Sequence, residues 1–179
     1  MNTEEIRRVV KAVLAETNAE RFFTRQNMQR VFDVAEAKAN ELKVGVTMCV
    51  ADEAGNVRML YHMPNANMVS RTLAPKKAWS AIAMKEPTMQ IGPDIQPGGP
   101  LYEMSGNLDG RLVSFSGGIP LVWHDKIVGA VGVSGGLVEE DQLICETAVN
   151  TFFLFNCSIC FPNVIKFHVN RTFWTDAIA

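Results

Sequence analysis

His62 is followed directly by Met63, and an imidazole beside a thioether offers two groups known as axial ligands of a haem iron. Lys77 could meet an anionic ligand as a point charge. Glu103, His124 and Asp141 add two carboxylates and a second imidazole, the groups that general acid–base catalysis uses. Lys77, Glu103, His124 and Asp141 are therefore the catalytic candidates, although they do not combine into a recognisable pattern of nucleophile, base and orienting group. Each also has an ordinary reading: a strand-end histidine is often structural or solvated, a lysine often lies on the surface, and His124 falls in a hairpin turn.

A second kind of chemistry belongs to the backbone. Gly117, Gly118, Ser134, Gly135 and Gly136 are small enough to let a ligand or another chain segment come close, and the last three lead into a helix whose first N–H groups could receive a carboxylate. The plainer alternative is a strand-to-helix turn that needs flexible backbone. Near the C-terminus, Cys157 and Cys160 form one C-x-x-C with His168 nearby, but a four-ligand zinc site needs a further partner.

Alternating and helical patterns supply the elements that would position these groups. Ile6, Val9, Val10, Val13 and Leu14 make one apolar helical stripe, and Met28, Val31, Phe32, Ala35, Ala39 and Leu42 make a longer one, with Thr24 as its N-cap. Val44 to Ala51 alternates apolar with small residues and turns through Asp52 to Asn56 into Val57 to His62, a first hairpin. Met68 to Met84 reads as a helix that Pro75 either kinks or restarts. Glu86 to Gly110 loses periodicity and gathers prolines and glycines, which makes it a candidate lid with Tyr102 and Glu103 as pocket groups, or else an ordered crossover loop. Leu112 to Phe115 reads as a third strand. Ile119 to Trp123 and Ile127 to Val133 form a second hairpin, and a helix carrying Ile144, Cys145, Ala148, Val149 and Phe152 follows.

The 179 residues fit one domain with a tail, and a formal net charge of −2 with dispersed Lys and Arg gives no electrostatic case for nucleic acid. The opening MNTEEIRR is charged and amphipathic, and no run approaches the roughly 20 apolar residues of a membrane span. The expectation is a soluble, cytoplasmic protein that does not enter a membrane. Cys49 and Cys145 fall in a strand and a helix, as buried free thiols of a reducing compartment would.

Four stretches together resemble the GlcG/HbpS family, which includes the C-terminal domain of PduO-type corrinoid adenosyltransferases and small proteins of diol and glycerol dehydratase systems. They are GGIPLVWHDKIVGAVGVSGGLVEEDQ from Gly117, VADEAGNVRML from Val50, KKAWSA from Lys76 and QPGGPLY from Gln96. The resemblance implies a mixed α/β fold: a profilin-like, three-layer α/β/α arrangement around a five-stranded antiparallel sheet, often as a homo-oligomer. It implies a domain over residues 1–152, leaving 153–179 as an atypical apolar extension. Several family members are associated with haem, and the family has carried a haem-degrading label. Where many relatives have Arg-Met-Asp after the second strand, this chain has His62, Met63 and Pro64, and the adenosyltransferase catalytic domain has no counterpart here.

The leading expectation is a binder of haem or a related tetrapyrrole, acting as carrier, sensor or accessory factor. His62, Met63, Lys77, Gly117, Gly118, Ser134, Gly135 and Gly136 are its ligand-binding candidates, with His62 as the candidate iron ligand. The alternatives are a cofactor-independent enzyme acting on a small organic acid or aldehyde, and an assembly protein of a dehydratase-type system.

Overall fold

In the computed structural model, residues 2–9 and 19–153 are described. Residues 3–9 are helical and exposed. A 3₁₀ turn, Ala19–Phe22, then leads into α1, Arg25–Leu42. Thr24 starts α1 as expected, its hydroxyl accepting the Asn27 N–H at 3.2 Å. The buried Asn27 amide donates to the carbonyls of Phe22 and Phe152, tying the start of α1 to the end of the last helix. At the other end Lys43, at φ 60°, turns the chain out of the helix.

Four strands form the sheet: β1 (Thr47–Asp52), β2 (Val57–His62), β3 (Gly118–Trp123) and β4 (Lys126–Ser134). Their order is β2-β1-β4-β3, and every neighbouring pair is antiparallel. His124 (φ 48°) and Asp125 (φ 59°) form the two-residue β3–β4 turn, the left-handed pair that matches strand twist in a tight hairpin.

The period of two along β1 sorts its side chains by size. Met48 and Val50 join Val131, Val133 and Leu121 in a core with Phe32 of α1 and Ile144 and Phe152 of α5, Val138–Phe152. Cys49 and Ala51 join Ala130 in a second cluster with Ala74, Ala78 and Ala81 of α2, Ser70–Met84. One face of the sheet thus meets large side chains and the other meets small ones.

Three sequence expectations change. Leu112 to Phe115 pairs with no strand, so the sheet has four strands among the described residues, where five were expected. Leu112 and Val113 are buried as strand residues would be, but the Val113 N–H donates to Ser80 Oγ on α2 at 2.8 Å, so a side chain replaces a ladder partner. Pro75 lies inside one helix, α2, so of its two expected roles the restart of a second helix is excluded. The segment from 86 to 110 is partly regular, holding α3 (Thr88–Ile95) and the short α4 (Met104–Asn107).

Cys49 and Cys145 are buried free thiols. Among the described residues no helix is long and apolar enough to cross a membrane. The expected tail beyond Phe153, with Cys157, Cys160 and His168, lies outside the described residues, as do residues 10–18 of the first helical stripe.

Candidate functional site

Small residues bring α2 onto the sheet. A Cβ on Gly132 of β4 would collide with the Ala74 carbonyl, and one on Gly118 of β3 with the Lys77 carbonyl. At that distance Lys77, which shares the buried face of α2 with Ala74, Ala78 and Ala81, has no route to solvent and is fully buried. Its ammonium donates to the Val133 carbonyl at 2.9 Å and to Asp141 Oδ2 at 2.6 Å, and the Phe115 ring centroid lies 5.1 Å away. Asp141 Oδ1 accepts the Gly136 N–H at 2.9 Å.

Burial dominates the electrostatics of this pair. It pulls Lys77 below the ordinary lysine range and pushes the Asp141 carboxyl up, and the attraction between the two offsets only part of each shift. Just ahead of α5 two backbone N–H groups are taken by its own acids: Asp141 Oδ1 accepts from Gly136, and Glu140 Oε2 accepts the Leu137 N–H at 2.7 Å.

Beside the pair lies a cleft of about 290 Å³ whose lining includes Asn67, Phe115, Ser134, Gly135, Gly136 and Asp141. Val69, Phe115 and Val138 also line it and are exposed, so its surroundings are apolar while its backbone and carboxylate are polar. That mixture is typical of small-molecule sites, although the volume lies at their lower end.

The structure gathers some of the expected residues and separates others. Ser134, Gly135, Gly136 and Asp141 line the cleft, with Lys77 bonded to Asp141. Gly117, at φ 105°, adjoins the same pair: a Cβ there would sit 3.1 Å from Lys77 Nζ. Its N–H donates to Gln142 Oε1. Gly118 N–H is taken by Thr88 Oγ1 at 3.0 Å.

His62 pairs across the sheet with Thr47, and Thr47 with Ser134, so the three share a face and His62 stands roughly 10 Å from the cleft wall. Met63 is 2% exposed, its sulfur accepting the Val46 N–H at 3.5 Å. His124 is exposed at the far end of the β3–β4 hairpin, roughly 20 Å along the strand from Gly118. Glu103 and Tyr102 are exposed, and no residue of the expected lid lines the cleft. Among the described residues no group of three or more His, Cys, Asp or Glu could hold a metal ion.

Sequence reasoning missed Asn67, Ser70, Thr47 and Phe115. Asn67 Oδ1 accepts the Ser70 N–H at 2.9 Å, and its Nδ2 donates to the Gly135 carbonyl at 3.0 Å. Asn67 is readable in the sequence as a turn residue ahead of an apolar helix. The reach to Gly135 is a tertiary contact with no local signature.

The family described as "Haem degrading protein HbpS-like" matches residues 23–150. The corrinoid adenosyltransferase PduO of Citrobacter freundii is 40% identical over 124 residues, which are 69% of this chain and 37% of that protein. This chain therefore spans little more than a third of that relative. Among solved structures, Klebsiella pneumoniae protein ORFY matches at 37% identity with a TM-score of 0.70, covering 72% of this chain and 89% of that one. A complex of PduOC with haem matches at 37% identity with a TM-score of 0.69, covering 72% and 93%.

Proposed function

This chain belongs to the HbpS-like family, and from that premise we propose that it binds haem or a related tetrapyrrole and acts as a carrier, sensor or accessory factor. The observation that carries the reading is the 37% identity, across 72% of the chain, to a protein whose structure is a haem complex. The similarity to PduO supports an accessory role beside a larger enzyme system. Helices on both faces of the sheet support the profilin-like class, the family resemblance supports a homo-oligomer, and the buried free thiols Cys49 and Cys145 support a reducing, cytoplasmic compartment.

The residues present fit the group in part. His62 is partly exposed and holds Thr47 through Nδ1, which leaves Nε2 as the ring nitrogen for an iron. Met63 does not fit, because its sulfur is committed to the core and to Val46. Val69, Phe115 and Val138 offer exposed apolar surface against which a macrocycle edge would pack, and Asn67 and Gly135 would hold the adjoining backbone. A bound haem would supply an iron able to take an axial ligand.

Titration of the purified, metal-free protein with hemin, alongside free hemin and a His62→Ala variant, tests the reading. A saturable Soret band at one equivalent per subunit or subunit pair is expected. A response equal to nonspecific adsorption would overturn it.

A second reading, an enzyme acting on a small organic acid or aldehyde without a cofactor, is favoured by one observation. The cleft of about 290 Å³ suits a small acid better than an enclosed macrocycle, and it adjoins the buried Lys77–Asp141 pair. Turnover that survives complete removal of haem and metal is its expected signature.

A further inference from the structure

A chain of short hydrogen bonds runs behind the cleft from Asn67 to His62. Ser70 Oγ lies 2.5 Å from the Asn67 carbonyl oxygen, Thr47 Oγ1 lies 2.6 Å from Ser70 Oγ, and His62 Nδ1 lies 2.7 Å from Thr47 Oγ1. Thr47 and Ser70 are both fully buried, so no water reaches their oxygens to add a proton or take one.

Counting protons fixes the direction of the chain. There are three gaps, each needing one proton, but the two hydroxyls bring only one each. The Asn67 carbonyl can only accept, so Ser70 spends its proton there. Ser70 must then accept from Thr47, and Thr47, its proton spent, must accept from His62 Nδ1. Any other arrangement leaves two lone pairs facing each other at 2.5–2.7 Å in a dry interior.

We propose that Thr47 and Ser70 are positioning residues that lock neutral His62 as the Nδ1–H tautomer and so present Nε2, with its lone pair, as a ligand for a transition-metal centre such as a tetrapyrrole iron. Free imidazole side chains have no such constraint, and the choice of tautomer follows the bond made by the other nitrogen. Nε2 makes no hydrogen bond among the described residues and its ring is partly exposed, so an incoming metal displaces no internal partner. Asn67 Nδ2 also donates to the Gly135 carbonyl, so the far end of the relay is anchored at the cleft wall, two strands away from His62. The identity of the metal group rests on the tetrapyrrole reading, whereas the tautomer does not.

The test separates the two. Two-bond ¹H–¹⁵N correlation spectra of the intact chain at about pH 8.5, where an imidazole is neutral, would be assigned by their loss in His62→Ala. Nε2 is expected at the downfield position of an unprotonated ring nitrogen. In Thr47→Val it should move upfield to the protonated position, in Ser70→Ala it should move the same way, and Thr47→Ser should restore the original spectrum. An upfield, protonated Nε2 in the unmodified chain would overturn the proposal whatever hemin does. With the tautomer as expected, a hemin spectrum lost or shifted in His62→Ala supports ligation. A saturable hemin spectrum identical in His62→Ala overturns the ligand role while leaving tetrapyrrole binding intact, and a failure of all forms to bind hemin saturably overturns the tetrapyrrole reading itself.

Discussion

The two faces of the sheet are built from the same strands but by opposite rules. Toward α1 and α5 the strands present Met48, Val50, Val131 and Leu121 to Phe32, Ile144 and Phe152, and stability there comes from large apolar area removed from water. Toward α2 they present Cys49, Ala51, Ala130 and Gly132 to a row of alanines. Little area is gained per residue on that side, but the helix backbone comes close enough to seal Lys77, Thr47 and Ser70 from solvent. Polar groups in such a place must be paired, and they are. The contrast teaches that side-chain volume decides which face is for holding the fold and which can hold chemistry.

The largest effect comes from breaking the pairing on the small-residue face. Asp141→Ala leaves Lys77 buried without its partner and should cost about 3–5 kcal/mol in denaturant unfolding. Lys77→Met combined with Asp141→Leu should recover most of that loss, because the desolvation cost disappears with both charges. If the double variant is no more stable than Asp141→Ala, the pair is not the source of the cost.

The next test sharpens the contrast in tolerance. Gly132→Ala pushes a Cβ into the α2 backbone and should cost about 1–3 kcal/mol, whereas Ile144→Val on the opposite face, which removes one carbon, should cost about 0.5–1.5 kcal/mol. Gly106→Ala, where a Cβ meets nothing within 4 Å, should stay within about 0.5 kcal/mol. Equal effects at Gly132 and Gly106 would refute close packing of α2.

The smallest effect is the pH dependence contributed by Cys49. Burial pushes its thiol up to about 12 from 9.0, so the folded chain keeps a proton that the unfolded chain gives up. The sign follows: this contribution is fully present below 9.0 and is lost as pH rises toward about 12. Unfolding midpoints measured from about pH 9 to 10.5 should fall more steeply for the unmodified chain than for Cys49→Ala, by at most about 1.4 kcal/mol per pH unit. Lys77, held low, acts in the opposite direction but is common to both proteins, so the difference isolates Cys49.

Much of the frame was legible because it rests on local periodicity. The stripe from Met28 to Ala39, the cap at Thr24, the second hairpin and the last helix stand where their patterns place them, and the first hairpin does too except that its leading strand begins at Thr47 rather than Val44. Leu112 to Phe115 misled because a buried extended segment and a strand share the same apolar pattern and differ only in where their N–H groups go. Of the candidate site, Ser134 to Gly136 were readable from glycine and helix-start chemistry. Lys77 looked like a surface residue until its spacing with Ala74, Ala78 and Ala81 was seen to put it on the buried face of α2.

By itself the sequence determined the strongly periodic helices and the two hairpins, which strand faces are large or small, and which family the chain resembles, since each of these depends on neighbours within a few residues or on motifs read in order. Only the tertiary structure decided that Lys77 meets Asp141 across 64 residues, that Thr47 joins His62 to Ser70, and that His124 and Glu103 stand apart from the cleft. Those outcomes depend on strand order and on how closely a helix can approach a sheet, and both are set by packing between residues distant in the chain.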